Sequence, residues 1–140
     1  RLDFFVSGWG TAGTLAGVGE VLKRNRPGTR VVACEPARAA VLSGQKWHPH
    51  RFEGWAPPFD TPLLDKRILD EIVRVNYRDA VRTVRDLAAL EGLLVGLSSG
   101  ATVAAALQIA KKARNGAVIL AMLPDTGERY LSTVHALRKF

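Results

Sequence analysis

The sequence predicts an α/β fold built on a parallel sheet, and two observations carry that reading. A strand, a glycine-rich turn, a helix and a second strand follow one another within about 35 residues, the βαβ unit that joins parallel strands by a right-handed crossover. Later, residues 117–123 form a continuous apolar run, the pattern of a strand buried on both faces of a parallel sheet.

Each element has its own signal. Asp3-Phe4-Phe5-Val6-Ser7 is rich in β-formers and stops at Gly8. From Thr14, Leu15, Val18 and Leu22 recur at helical spacing until Asn25, with Pro27 as the breaker. Arg30-Val31-Val32-Ala33-Cys34 is the next strand. Residues 45–62 carry four prolines, two histidines and two tryptophans without periodicity, which marks a long loop whose aromatic content favours a functional role. Glu71-Ile72-Val73-Arg74-Val75 is a short strand, and Val81, Val84, Leu87 and Ala88 form one helical stripe. Leu93-Leu94-Val95-Gly96-Leu97 leads into Ser98-Ser99-Gly100 and a helix with Val103, Ala106, Leu107 and Ala110 on one side, closed by Asn115-Gly116. A last helix is expected over residues 126–135. No internal repeat is visible.

Composition narrows the function classes. The chain has 140 residues, 47% of them hydrophobic, enough for one domain with a real core and too apolar for disorder. No apolar run approaches the roughly 18 residues of a membrane span, and no signal peptide pattern opens the chain. One cysteine, Cys34, excludes an internal disulfide and a cysteine-rich zinc site. A cytoplasmic setting is the expectation. His48, His50 and His135 lack metal-ligand spacing, so no metal is expected. The net charge of +7 raises the question of an anionic partner. The basic residues lie in short clusters such as Lys23-Arg24-Asn25-Arg26 and Lys111-Lys112-Ala113-Arg114 at expected helix ends, where cations meet the helix dipole. Nucleic acid is therefore not the expected partner. The chain opens directly on an apolar strand, as part of something larger would.

The turn Gly8-Trp9-Gly10-Thr11-Ala12-Gly13-Thr14 follows a strand and opens a helix, which makes it an anion site: free N–H groups at a helix N-terminus, with small residues that let a phosphate approach. Two readings stand nearly even. Gly8, Gly10 and Gly13 fit G-x-G-x-x-G, and Glu35 ends the next strand, as in a dinucleotide fold where an acid meets a ribose hydroxyl. Thr11 and Thr14 point instead to one phosphate held by amides and hydroxyls together.

Three stretches decide between them. They are Val6-Ser7-Gly8-Trp9-Gly10-Thr11-Ala12-Gly13-Thr14, then Glu91-Gly92-Leu93-Leu94-Val95-Gly96-Leu97-Ser98-Ser99-Gly100-Ala101, then Leu123-Pro124-Asp125-Thr126-Gly127-Glu128-Arg129-Tyr130-Leu131-Ser132-Thr133. With Cys34-Glu35-Pro36 and Leu42-Ser43-Gly44, they resemble, in order, the cysteine synthase and cystathionine β-synthase family of fold-type II enzymes that use pyridoxal 5′-phosphate. The fold implied is part of the large domain of a tryptophan synthase β-like enzyme. The resemblance implies that Gly10, Thr11, Ala12, Gly13 and Thr14 bind the cofactor phosphate and that Ser98 hydrogen-bonds the pyridine nitrogen. Ala12 stands where the family has glycine, so an ordinary backbone angle is expected there. A neutral hydroxyl at Ser98 would not hold the ring nitrogen protonated, which suits elimination from Cβ. Read without the family, Ser98 and Ser99 are a helix N-cap pair. Glu128-Arg129-Tyr130 reads as structural.

The family's Schiff-base lysine is absent: Lys23, Lys46, Lys66, Lys111, Lys112 and Lys139 lack its context. The resemblance thus implies the C-terminal half of an enzyme for cysteine biosynthesis, a transferase or lyase, with no catalytic residue of its own and with the missing half as partner. A small amino-acid substrate and a homodimer are implied as well. Glu53-Gly54-Trp55-Ala56-Pro57-Pro58-Phe59-Asp60 departs from the family's glycine-rich substrate loop, stiffens it and narrows the mouth. O-acetylserine, O-phosphoserine and serine with homocysteine all stay open as substrates. The alternatives are a Rossmann NAD(P)-binding dehydrogenase domain and a catalytically inactive half-domain that binds a partner.

Overall fold

A computed structural model describes residues 1–59 and 61–131. Strand β1 (Phe4–Gly8) leads through the glycine turn into α1 (Gly13–Asn25), and β2 (Arg30–Pro36) completes the expected βαβ unit. After a long connection and a short 3₁₀ turn over Lys66–Ile68 come β3 (Glu71–Val75), α2 (Tyr77–Glu91), α3 (Leu97–Ala110) and β4 (Ile119–Ala121). The strands form one sheet in the order β3-β2-β1-β4, every pair parallel. Phe4 stands opposite both Arg30 of β2 and Ile119 of β4.

Strand pleating divides the core in two. Phe5, Val31 and Ala33 point to the α1 side and pack with Leu15, Ala16, Trp9 and Leu42. Val6, Val32, Cys34, Val73 and Val75 point to the other side, against Ala80 of α2 and Ala101, Ala104, Ala105 and Ile109 of α3. Helices on both faces are why β1 and β2 read as uninterrupted apolar runs.

The helix faces differ from the sequence expectation. In α1 the buried residues are Leu15, Ala16 and Gly19, while Val18 is exposed. Gly19 belongs inside because a Cβ there would stand 2.8 Å from Ile68 Cδ1. In α3 the buried side is the small-residue side, and Leu107 is 54% exposed. Gly100 sets this choice: its missing side chain lets α2 approach until an added Cβ would be 2.6 Å from the Ala80 carbonyl oxygen. The helix α3 ends at Ala110 rather than at Asn115-Gly116, and Gly116 (φ 75°) turns the chain toward β4.

The strand expected over residues 117–123 is corrected to three residues at the sheet edge. There β4 pairs with β1 alone, and Leu120 remains half-exposed. In place of the helix expected over residues 126–135, a 3₁₀ turn spans Gly127–Tyr130, and residues 132–140, with His135 and Lys139, lie outside the described residues. No helix among the described residues is long and apolar enough to cross a membrane.

Candidate cofactor site

The sheet order reverses beside β1: β2 lies on one side and β4, the last strand among the described residues, on the other. Ligands of open α/β sheets bind beyond the strand C-termini at such a switch point. A cleft of about 360 Å³ opens there, within the size range of small-molecule sites. Its floor is the end of β1 and the turn, Ser7, Gly8, Gly10, Thr11, Ala12, Gly13 and Thr14. One wall is the loop Glu53, Gly54 and Trp55; the other is Ser98 of α3 with Met122, Pro124, Asp125 and Tyr130. Every residue assigned to the cofactor from sequence therefore lines one cleft, although Ser98 is far from the turn along the chain.

The turn is built for donors. Helix α1 begins at Gly13 with Ala12 as its N-cap and no side chain bonded across the cap. Its first N–H groups lack carbonyl partners within the helix, and Thr11, Gly13 and Thr14 are exposed toward the cleft. Ala12 does not keep an ordinary backbone angle: it is left-handed, φ 67° and ψ 7°. The turn keeps the geometry a glycine would adopt freely, and the buried Ala12 methyl packs in the α1-side core. Gly10 is needed for a different reason, since a Cβ there would collide with the Gly54 carbonyl oxygen.

The proline- and tryptophan-rich loop is held against the turn by its own aromatic groups. Trp55 stacks on Phe52 at 5.5 Å and covers Gly8, where a Cβ would enter the indole. The Ala56 N–H donates to the Trp9 carbonyl at 2.9 Å, and Trp47 Nε1 donates to the Ala56 carbonyl at 2.8 Å. Glu53, Gly54 and Trp55 thus stand at one wall of the cleft.

The serines do not cap α3. Gly96 is its N-cap, and both hydroxyls turn to Asp125 instead. Ser98 Oγ donates to Asp125 Oδ1 at 3.1 Å, and Ser99 Oγ donates to the Asp125 carbonyl at 3.3 Å and to Oδ1 at 3.4 Å. The Gly96 N–H donates to the Asp125 carbonyl at 3.1 Å, so the carboxylate stands at the positive end of α3. Tyr130 OH donates to Asp125 Oδ2. That bond, with burial and the Asp125 charge, pushes the Tyr130 phenol up to about 12. Tyr130, read from sequence as structural, lines the cleft, and Asp125 is a site residue the sequence reading missed.

Glu35 is not placed to meet a ribose. It is fully buried, accepting from the Leu42 N–H at 2.8 Å, the Ser43 N–H at 3.1 Å and Ser43 Oγ at 2.5 Å. Its carboxylate pins the segment after β2, and the dinucleotide reading loses its acid. Among the described residues no lysine, arginine or histidine lines the cleft, and no cluster could hold a metal. An anionic group there would be met by backbone amides and hydroxyls. The residues present therefore fit a phosphate attached to a small ring.

The O-ureido-L-serine synthase of Streptomyces lavendulae is 55% identical over 133 residues, 95% of this chain and 41% of that protein. A probable cysteine synthase of Bacillus subtilis is 47% identical over 132 residues, 94% of this chain and 42% of that protein. Among solved structures, an O-ureido-L-serine synthase superposes with a TM-score of 0.94 at 51% identity, covering 99% of this chain and 44% of that one. O-acetyl serine sulfhydrylase isoform 3 from Entamoeba histolytica gives 0.94 at 43% identity, covering 99% and 42%. The chain thus spans about two fifths of the length of the curated relatives it matches, and the expectation of a C-terminal half is corrected to a partial span of that size. The profile of the family described as pyridoxal-phosphate dependent enzymes matches residues 1–125, and the chain belongs to that family.

Proposed function

We propose that this chain supplies the phosphate cradle and the pyridine-nitrogen contact of an enzyme that replaces the Cβ substituent of an O-activated serine with a sulfur nucleophile. The observation that carries the reading is the convergence of Gly10, Thr11, Ala12, Gly13 and Thr14 with Ser98 on one cleft at the sheet's switch point. The turn amides and the Thr11 and Thr14 hydroxyls would hold the phosphate, with the N-terminus of α1 behind them. Ser98, at the far wall, would meet the ring nitrogen. When bound, pyridoxal 5′-phosphate supplies the electron sink for bond breaking at the amino-acid carbons. Trp55 and Gly54 exclude water from one side of the cleft.

No lysine lines the cleft among the described residues, so the Schiff-base lysine belongs, on this reading, to a segment outside this chain. The homodimer implied by the resemblance is part of the same proposal.

An oxygen nucleophile is a second reading, favoured by the 55% identity to a protein named for O-ureido-L-serine, in which the group on Cβ is joined through oxygen: the nucleophile's oxygen would bond Cβ as the activated serine oxygen leaves. The test uses the longer protein that contains this chain. It is given O-acetylserine with sulfide or with hydroxyurea, and the product amino acid is quantified. Cysteine formation supports the first reading and O-ureidoserine formation the second. Neither product, with intact cofactor binding, contradicts both.

A further inference from the structure

Trp9 is 2% exposed, and its Nε1 is a buried donor with no acceptor among the described residues. A buried indole N–H ordinarily has a partner, because a donor taken out of water and left unpaired is destabilising. Trp9 is not among the residues that line the cofactor cleft. It lines a second cavity, of about 240 Å³, and packs in the core on the α1 side of the sheet.

Leu42, Phe59 and Leu64 are among the apolar walls of that cavity, and its other polar side chains among the described residues are Thr61 and Lys66. Leu42 and Leu64 are buried, whereas Phe59 is 62% exposed, so one side of the cavity reaches solvent. Lys66 is exposed and keeps its charge in water.

This lining sets what the cavity can recognise. Its volume suits a single ring or a short branched chain. Its walls favour an apolar body, and Trp9 Nε1 calls for one acceptor. A carboxylate seated there would exchange its hydration for a single neutral donor, whereas a carbonyl or ether oxygen gives up far less. A lone water would have the Trp9 N–H and mostly apolar walls, short of the roughly three partners a buried water makes.

We propose that this cavity binds a small, neutral, apolar molecule whose one carbonyl or ether oxygen accepts from Trp9 Nε1. The site is separate from the cofactor cleft and does not rest on the cofactor reading. Its link to that cleft is the main chain of Trp9, which lies between Gly8 and Gly10 and whose carbonyl accepts from the Ala56 N–H at 2.9 Å.

The test uses the 140-residue chain labelled with 15N at its three tryptophans, each of which gives one indole N–H signal. The probes are acetophenone and α-methylstyrene, which has the same shape with a methylene in place of the carbonyl oxygen. Acetophenone is expected to move the Trp9 indole proton downfield in a saturable way and to bind on the order of tenfold more tightly than the hydrocarbon. In Trp9→Phe that preference is expected to disappear. Should Trp9→Phe not fold, Trp47→Phe and Trp55→Phe identify the Trp9 signal by elimination, and the two probes on the unmodified chain decide alone. A Trp9 signal unmoved at the solubility limit of acetophenone overturns the proposal. So do equal affinities for the two probes, or a Trp9 N–H that stays in contact with water when acetophenone is bound.

Discussion

Ala12 holds a left-handed angle, φ 67°, with its methyl group in the core, and replacing it separates two opposing effects. A non-glycine residue in this region costs about 1 to 2 kcal/mol, which Ala12→Gly would recover. The same change removes a methyl that is only 4% exposed, a loss of about 0.8 kcal/mol. It also frees the unfolded chain, a further cost of about 0.4 to 1 kcal/mol. The terms nearly cancel, so Ala12→Gly is expected to change stability by less than about 1 kcal/mol. Ala12→Val behaves differently: it keeps the strained angle, adds a β-branch that suits it poorly, and overpacks the site beside Leu15 and Ala16, for a loss of about 2 to 4 kcal/mol. Urea unfolding of the 140-residue chain, with the slope compared between variants, reads both. A loss above about 2 kcal/mol for Ala12→Gly would mean that the methyl outweighs the backbone term, and the left-handed turn would not carry the strain assigned to it.

Other residues give further expectations. Glu35→Gln puts an amide N–H₂ among donors from Leu42 and Ser43 and should cost about 1.5 to 3 kcal/mol, seen as a lowered urea midpoint; nicotinamide-nucleotide binding abolished by this change would restore the dinucleotide reading. Cys34 is fully buried and its thiol is pushed up to about 12 by burial, so it should stay unreactive toward a thiol reagent at neutral pH until the chain unfolds. Rapid labelling of the folded chain would refute that placement. The Tyr130 phenol, held up at about 12, contributes stability that is complete below its unfolded value of about 10 and disappears as pH rises through about 12. An ultraviolet titration in which Tyr130→Phe removes a phenol transition near pH 12 checks this.

The sequence made the scaffold of the cleft readable because that scaffold is local. The βαβ unit, the glycine turn at its bend and the strand Glu71–Val75 all depend on short-range periodicity and turn chemistry. Asp125 was not readable for the opposite reason. It meets Ser98 only because α3 crosses over to β4, which places the end of β4 beside the start of α3, and no spacing rule links an acid to a serine 27 positions earlier. The available signal was its position just past an apolar strand, where α/β sheets gather site residues. The α3 face failed because apolar residues lie all round most of that helix, so periodicity had little to choose with, whereas Gly100 held the information as a close approach to α2. Glu35 lay at the right sequence distance for a ribose contact, but its carboxylate was already taken up by the chain immediately after it.

The central claim is that the turn at residues 10–14 is a phosphate cradle for a pyridine cofactor. Calorimetric titration of the chain with pyridoxal 5′-phosphate, pyridoxal and a nicotinamide dinucleotide tests it most directly, with Gly10→Ala alongside. Binding of pyridoxal 5′-phosphate that needs the phosphate, and is lost when a Cβ at Gly10 meets the Gly54 carbonyl, is the expected result. Dinucleotide binding without pyridoxal 5′-phosphate binding, or an affinity for the cofactor that Gly10→Ala leaves unchanged, would contradict it.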